Sequence, residues 1–330
     1  MRVAIKIPLF NATTTILDTL SSILNQTHQD FIIYVYDNAS TDSSIEKIQS
    51  LKDSRIVIVA AEKNRGWNWN FNRCLGVCDE EYLLIAHADD VYHSEFIEKN
   101  IDALKKYEPR LLFSSGTQFR TTDEIDCMRP VSDCLDLEVF RSHENLLNAI
   151  VKKGNFIFCP TAFGYSSDMR RLISFFDGDR FGGSADLDAW LRYVSVQPIG
   201  LINTKGLFFQ RLSETQISYK DLAEDDSVFV KCCSSHIKSV SIQDAKRAEL
   251  ELCLKWHEFY YRALKYLTGL NTAHLPTMKE LVTIISAKVS SIKKIKLISL
   301  ILLCRLISYL PYAALRVLSS LLVKYVRKSG

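Results

Sequence analysis

From Val3 to Tyr107, runs of β-branched and aromatic residues alternate with stretches whose apolar positions recur every three or four residues. VAIKIP (3–8) and FIIYVY (31–36) have strand composition and turn residues at their ends. Between them TTTILDTLSSILNQT carries Leu17, Leu20, Ile23 and Leu24 at helical spacing. The rhythm continues with a helix over 42–51, a strand over 55–60, a helix over 67–78, a strand over 82–86 and a helix over 94–107. Such alternation predicts an α/β fold whose central sheet is mostly parallel and flanked by helices on both faces, with right-handed crossovers.

After Pro109 the pattern is mixed. LLFSSGTQF (111–119) reads as a strand, 143–152 as a short helix, NFIFC (155–159) as a strand, 185–196 as a helix and 199–210 as extended chain. From about Asp225 helices dominate, with Pro276 and Pro311 as breakers. We expect one α/β domain over 1–222, split into a regular half (1–109) and a mixed half (110–222) that builds the second wall of a cleft. A helical region over 223–330 follows it.

Composition changes this picture in one respect. The 330 residues carry a net charge of only +3, but 279–330 hold ten Lys/Arg and one Glu, so the rest of the chain is acidic. A basic tail on an acidic body suggests an anionic partner at one end. The 47% hydrophobic content belongs to a folded chain rather than a disordered one. The nine cysteines lack paired metal spacing and read as free thiols in a reducing compartment. MRVAIKIPLF is interrupted too early by Pro8 to read as a secretory signal.

Several residues at expected strand ends can do chemistry. Asp37 closes the second strand at its carboxyl edge, where an open α/β sheet receives ligands, and there it can accept from a base N–H or a ribose hydroxyl or simply cap a turn. Asn64, Asn68, Asn70 and Asn72 crowd a helix start although Asn is a poor helix former, and Arg73 stands one turn beyond Asn70. His87-Ala88-Asp89-Asp90 follows the apolar run YLLIA. Adjacent carboxylates repel unless offset, so a divalent cation, held by Asp89, is the economical partner. Asp186 and Asp188 open a helix, where they either complement its dipole or present a general base to a cleft.

Together these residues resemble a family-2 glycosyltransferase of the GT-A fold, a Rossmann-like architecture, from about Val3 to Ser218. The family's Pro-x-x-Asn appears as Ile7-Pro8-Leu9-Phe10-Asn11, its ILNQT helix end as Ile23 to Thr27, and its Asp-x-x-Ser-Thr-Asp as Asp37 to Asp42. Its Asn-x-Gly through Asp-x-Asp-Asp lies on Asn64 to Asp90, its Glu-Asp on Ala185-Asp186, and its Arg-x-His…Gln-x-Ser on Arg211-Leu212-Ser213…Gln216-Ile217-Ser218. Three positions depart from the pattern: His87 replaces the first acid, Phe71 replaces an Arg, and Ser213 replaces the His.

The resemblance implies an inverting sugar transfer from a nucleoside-diphosphate sugar to a glycan acceptor, lipid-linked and used in surface polysaccharide synthesis. Donor-binding residues would be Pro8, Asn11, Asp37, Asn64, Asn70, Arg73, His87, Asp89 and Asp90. Asp89 would hold Mg²⁺ or Mn²⁺, His87 would donate to ribose or phosphate, and Asp186 would be the base. The tail, with Lys293, Lys294, Lys296, Arg305, Arg316 and Lys324 among Leu and Ile, suits the cytoplasmic surface of an inner membrane better than a span, and packing on the body or on another subunit is the other reading. No nucleic-acid partner is expected. A nucleotide-binding protein without activity and a polyprenyl-phosphate sugar transferase are the competing functions. A dinucleotide oxidoreductase is disfavoured, because PLFNATTT contains no Gly-rich phosphate turn.

Overall fold

The computed structural model describes residues 2–107, 109–129, 131–153, 161–212 and 228–268. The chain divides into two compact units, one drawn from Met1–Leu146 and Asn155–Ser213, the other from Leu147–Gly154 and Glu214–Gly330.

The strands of the first unit are β1 (Val3–Leu9), β2 (Phe31–Asp37), β3 (Ile56–Ala60), β4 (Tyr82–Ile85), β5 (Val91–Tyr92), β6 (Leu111–Ser114), β7 (Gly116–Phe119), β8 (Leu137–Phe140), β9 (Ala162–Tyr165), β10 (Ile199–Ile202) and β11 (Phe208–Arg211). Eight form one sheet in the order β3-β2-β1-β4-β9-β6-β10-β8, and three form a second sheet in the order β5-β11-β7. In the large sheet β1, β2, β3 and β4 run parallel, as do β6 and β10, while β9 and β8 are antiparallel to their neighbours. The central strand β1 is covered on both faces, so nearly all its residues are apolar and buried. Each such Val, Ile or Leu contributes roughly 1.5–3 kcal/mol. The exception is the fully buried Lys6, whose Nζ donates to the Gly76 carbonyl at 2.7 Å.

The helices expected in the first hundred residues are α1 (Ile16–Leu24), α2 (Ser44–Ser50), α3 (Trp67–Arg73) and α4 (Phe96–Lys106). The buried stripe of α1 is Ile16, Thr19, Leu20 and Ile23, leaving Leu17 and Leu24 only partly covered. Gln26, just past α1, donates to the His93 carbonyl at 2.6 Å and accepts the Ile97 amide at 2.9 Å. The ILNQT segment thereby fastens the end of α1 to the start of α4.

Several elements differ from the sequence expectation, and the extended chain over 199–210 divides into β10 of the large sheet and β11 of the small one. The strand expected over 111–119 breaks at Ser115: β6 joins the large sheet and β7 the small one, with the Ser115 amide bonded to the Ile202 carbonyl at 2.7 Å. Helix α3 stops at Arg73 rather than 78, because the amides of Leu75 and Gly76 bond three residues back, to Asn72 and Arg73, and tighten the turn. The strand expected over 155–159 lies outside the described residues, and β9 follows it. Further on come α5 (His143–Lys153), the short α6 (Ser166–Asp168) and α7 (Gly178–Phe181), and α8 (Ala185–Val194).

In the second unit, helices Val228–Ser239 and Asp244–Thr268 are fastened by Arg247, which donates to the carbonyls of Ile237 (2.6 Å) and Val240 (3.2 Å) at the first helix's C-terminus. His257 Nε2 donates to the Val151 carbonyl at 2.8 Å, and Lys152 pairs with Glu249 at 2.7 Å. No helix of the described residues is long and apolar enough to cross a membrane. The basic tail over 279–330 and the Ser213, Gln216 and Ser218 positions lie outside the described residues.

Candidate active site

The carboxyl edge of the large sheet brings the first candidates together. Leu9 stands opposite Asp37, and Lys6 opposite Ile85, so β1 separates the end of β2 from the end of β4. After β1 the chain turns at Asn11, which takes a left-handed φ of 50°. Its side-chain oxygen accepts the Thr41 amide at 2.8 Å, its own amide donates to Ser40 Oγ at 3.0 Å, and the amides of Ala12 and Thr13 donate to Ser44 Oγ and Asp42 Oδ2. Pro8 sits within β1 opposite Tyr36. The Asp37–Asp42 segment thus binds one loop to another, and Asn11 belongs to that crosslink. Asp37 is buried, and its Oδ1 accepts the Ser40 amide at 3.0 Å.

Asn38 was not singled out in the sequence, yet it organises the next loop. Its amide donates to Asn64 Oδ1 (2.8 Å) and to the Gly66 carbonyl (3.1 Å), and its oxygen accepts the Arg65 amide (3.1 Å). Gly66, at φ 86°, leads into α3 through a backbone that side-chain-bearing residues rarely adopt. Asn64, which also accepts the Gly66 amide at 2.8 Å, is spent on this loop.

The other three asparagines divide between two tasks. Asn70 is buried and donates to the carbonyls of Leu9 (3.2 Å) and Tyr36 (2.8 Å), while its oxygen accepts from Arg73 Nη1 (2.9 Å). Arg73 also donates to the carbonyls of Asp37 (3.1 Å) and Val59 (2.7 Å) and lies over the rings of Tyr36 and Trp69. Asn70 and Arg73, both expected among the donor-binding residues, satisfy carbonyls at the ends of β1, β2 and β3. On the opposite side Asn72 exchanges two hydrogen bonds with the Phe176 backbone (2.7 and 3.0 Å), and Asn68 accepts the Gly178 amide at 3.2 Å. A Cβ on Gly178 would come within 2.6–2.7 Å of the Asn68 and Trp67 side chains, so this close approach needs glycine.

His87–Asp90 forms the passage from β4 in the large sheet to β5 in the small one. Each carbonyl of its last three residues is held: Ala88 by Thr15 Oγ1 (2.9 Å), Asp89 by Arg211 Nε (2.9 Å) and Asp90 by Thr19 Oγ1 (2.7 Å). Ligand atoms of His87, Asp89 and Asp90 lie within 4.8 Å of one another, and His87 Nδ1 is 4.0 Å from Asp89 Oδ1. Burial lowers the His87 pKa despite the opposing pull of Asp89, so the imidazole is neutral at neutral pH. Burial and the Asp89 charge push Asp90 well above the usual carboxylate range, against hydrogen bonding from Arg211.

At the start of α8, Asp186 accepts the Leu187 amide at 2.7 Å, and burial raises its pKa from 3.8 to about 7. Asp188 is buried and paired with Arg192 at 2.9 Å. A chain of rings runs from His87 to Phe71 (5.3 Å), Phe176 (6.3 Å) and Trp190 (5.8 Å), one turn beyond Asp186.

The family model for glycosyl transferase family 2 matches residues 4–173, just over half of the chain. The chain belongs to glycosyl transferase family 2. The match takes in every donor-side candidate from Pro8 to Asp90 and stops short of Asp186. A curated relative, the Escherichia coli UDP-Glc:alpha-D-GlcNAc-diphosphoundecaprenol beta-1,3-glucosyltransferase WfgD, is 29% identical over 104 residues, 32% of this chain and 41% of that protein. The chain spans about two-fifths or less of the length of such relatives. Two solved structures share the GT-A fold: S. aureus TarS 1-349 in complex with UDP (TM-score 0.59, 16% identity, 82% of this chain and 76% of that one) and the Pyrobaculum calidifontis mannosyltransferase PcManGT in complex with GDP-Man and Mn²⁺ (TM-score 0.54, 13% identity, 92% and 86%).

A divalent cation fits the residues that this family-2 chain places after β4. His87 presents Nδ1 to Asp89 Oδ1 at 4.0 Å, and the ligand atoms of His87, Asp89 and Asp90 cluster tightly enough to share one ion. One neutral imidazole and two carboxylates make a donor set for a metal that takes both nitrogen and oxygen. The cysteines behave as the sequence suggested for Cys74, a buried free thiol whose pKa is pushed up to about 12 by desolvation.

Proposed function

We propose that this protein transfers a sugar from a nucleoside-diphosphate sugar to an acceptor hydroxyl, with inversion at the anomeric carbon. The observation that carries this reading is the placement of Asp37 and the His87–Asp90 turn at the carboxyl edges of β2 and β4, on either side of β1, in a family-2 chain. Two inter-strand spacings, roughly 10 Å, separate such positions, a span comparable with that from a nucleoside to its diphosphate.

Asp37 accepts from the nucleoside, using the carboxylate oxygen that the Ser40 amide does not occupy. His87, Asp89 and Asp90 would hold Mg²⁺ or Mn²⁺, which when bound supplies Lewis-acid neutralisation of the charge gathering on the departing diphosphate. The Mn²⁺ named with the Pyrobaculum mannosyltransferase supports that choice of ion. Asp186 takes the proton of the attacking hydroxyl, since its pKa of about 7 lets it exist as a carboxylate at neutral pH and still bind a proton. Asn70, Arg73, Asn38 and Asn64 keep the strand ends and loop in place for the donor. The Phe71–Phe176–Trp190 layer excludes water between the His87 turn and α8.

For the acceptor we take a lipid-linked glycan of a surface polysaccharide, following the diphosphoundecaprenol acceptor named for the E. coli relative. The basic 279–330 segment would hold the enzyme at the cytoplasmic membrane face where such lipids present their glycans. The test is a panel of UDP-, GDP- and dTDP-sugars with purified protein and a lipid-diphosphate sugar acceptor, following nucleoside-diphosphate release. Mn²⁺-dependent release from one donor, lost in Asp186→Asn while donor binding persists, is the expected result. No release from any donor with either metal overturns the reading.

A further inference from the structure

We infer that Arg211 is a positioning residue that aims the Asp89 carboxylate, acting through the backbone of the Asp-Asp turn. The inference rests on the proposed metal-assisted transfer and adds to it a residue from the other sheet. Arg211 ends β11, opposite Phe119 of β7, and its side chain is only 11% exposed. Its backbone amide donates to Asp90 Oδ1 at 3.0 Å, its Nε to the Asp89 carbonyl at 2.9 Å and its Nη2 to Asp18 Oδ2 of α1 at 2.7 Å, while the guanidinium lies over the Phe119 ring at 4.6 Å.

These contacts give a division of labour within the turn. The Ala88 and Asp90 carbonyls are held from the α1 side by Thr15 and Thr19, and Arg211 holds the Asp89 carbonyl between them. With the peptide planes on both sides fixed, the direction in which the Asp89 side chain leaves the backbone is fixed too. The planar guanidinium suits this work because it reaches the Asp89 carbonyl and the Asp18 carboxylate with two directed bonds at once. A lysine ammonium supplies the charge without that fork. Asp18 anchors the strap from a position that is not among the candidate metal ligands, so loosening it perturbs the turn without removing a donor atom.

The test uses the full-length protein and measures Mn²⁺ binding by electron paramagnetic resonance of the free ion, with and without UDP, for wild type, Arg211→Lys and Asp18→Asn. Thermal melting is recorded for each. Supporting residues around a metal site change affinity by about 10–100-fold when lost. Arg211→Lys is expected to weaken Mn²⁺ binding at least about tenfold although its charge is kept, and Asp18→Asn to weaken it less, in the same direction, with a wild-type melting temperature. Full rescue by lysine means that charge alone matters and overturns the inference. Should Arg211→Lys fail to fold, unchanged Mn²⁺ affinity in Asp18→Asn overturns it, and weakened affinity upholds it. A wild-type protein that binds no Mn²⁺ in either condition overturns the metal-assisted reading together with this one, whereas wild-type binding that survives both substitutions overturns this one alone.

Discussion

Asp188 gives its carboxylate to Arg192 at 2.9 Å, whereas Asp186, two residues earlier on the same helix, is met by the Leu187 amide at 2.7 Å and has no cationic partner among the described residues. The pair shows how neighbouring acids in one helical turn acquire different properties. One is fixed as an ion-pair member. The other is left to desolvation, which raises its pKa to about 7.

That difference predicts a pH dependence for the proposed reaction. If Asp186 is the base, kcat/KM for the acceptor rises with pH as its carboxyl ionises and levels off above about 7. Initial rates between pH 5.5 and 8.5 at saturating Mn²⁺ check this. The limb should vanish in Asp186→Asn, whose residual rate should be lower by about 10²–10⁴-fold. A variant at Asp188 that loses activity while Asp186→Asn keeps it would reverse the assignment.

The same shift has a consequence for stability. Between pH 3.8 and about 7 the unfolded chain has released the Asp186 proton while the folded chain still holds it, so folding loses stability as pH rises through that window. The full effect, reached above about pH 7, is up to about 4 kcal/mol. Asp186→Asn should therefore melt higher than wild type at pH 8 and nearly with it at pH 4. Equal melting differences at both values would show that the carboxyl is not buried as described.

His87 supplies a different kind of test. Imidazole nitrogen suits later divalent ions better than Mg²⁺, which prefers oxygen. The wild-type enzyme should thus work better with Mn²⁺ than with Mg²⁺, and His87→Asp should shift the ratio of the two rates toward Mg²⁺. Donor turnover measured with each ion decides. An unchanged ratio places His87 outside the metal shell and favours its other expected role, as a donor to ribose or phosphate.

What the sequence made legible follows from how local the physics is. Strands β1, β2 and β4 are apolar because they are buried in the sheet, and their carboxyl ends with Asp37 and Asp89 could be read directly. The break at Ser115 could not, since LLFSSGTQF keeps strand composition on both sides while its halves enter different sheets. Nor could the long-range partners of Asn38, Asn70 and Arg211, which lie 26 to 193 residues away in the chain. A cluster of asparagines signals that something polar needs satisfying, without saying whether it is a ligand or the protein's own carbonyls. Family membership supplies the missing context for the donor side, and for Asp186, beyond the matched stretch, only the fold and a carboxyl without a cationic partner among the described residues remain.

Asn70 and Arg73 separate those two meanings of a polar cluster. Replacing Asn70 with Ala leaves the Leu9 and Tyr36 carbonyls without their donor and Arg73 without an acceptor. An unsatisfied buried polar group costs about 1–3 kcal/mol, so Asn70→Ala should lower unfolding stability by roughly 3 kcal/mol, measured by urea denaturation. UDP affinity of the folded variant, measured by calorimetry below the transition, should stay close to wild type because the side chain faces strand ends rather than the nucleotide. Loss of UDP binding at unchanged stability would return Asn70 to the donor site, and with it Arg73, whose guanidinium Asn70 orients.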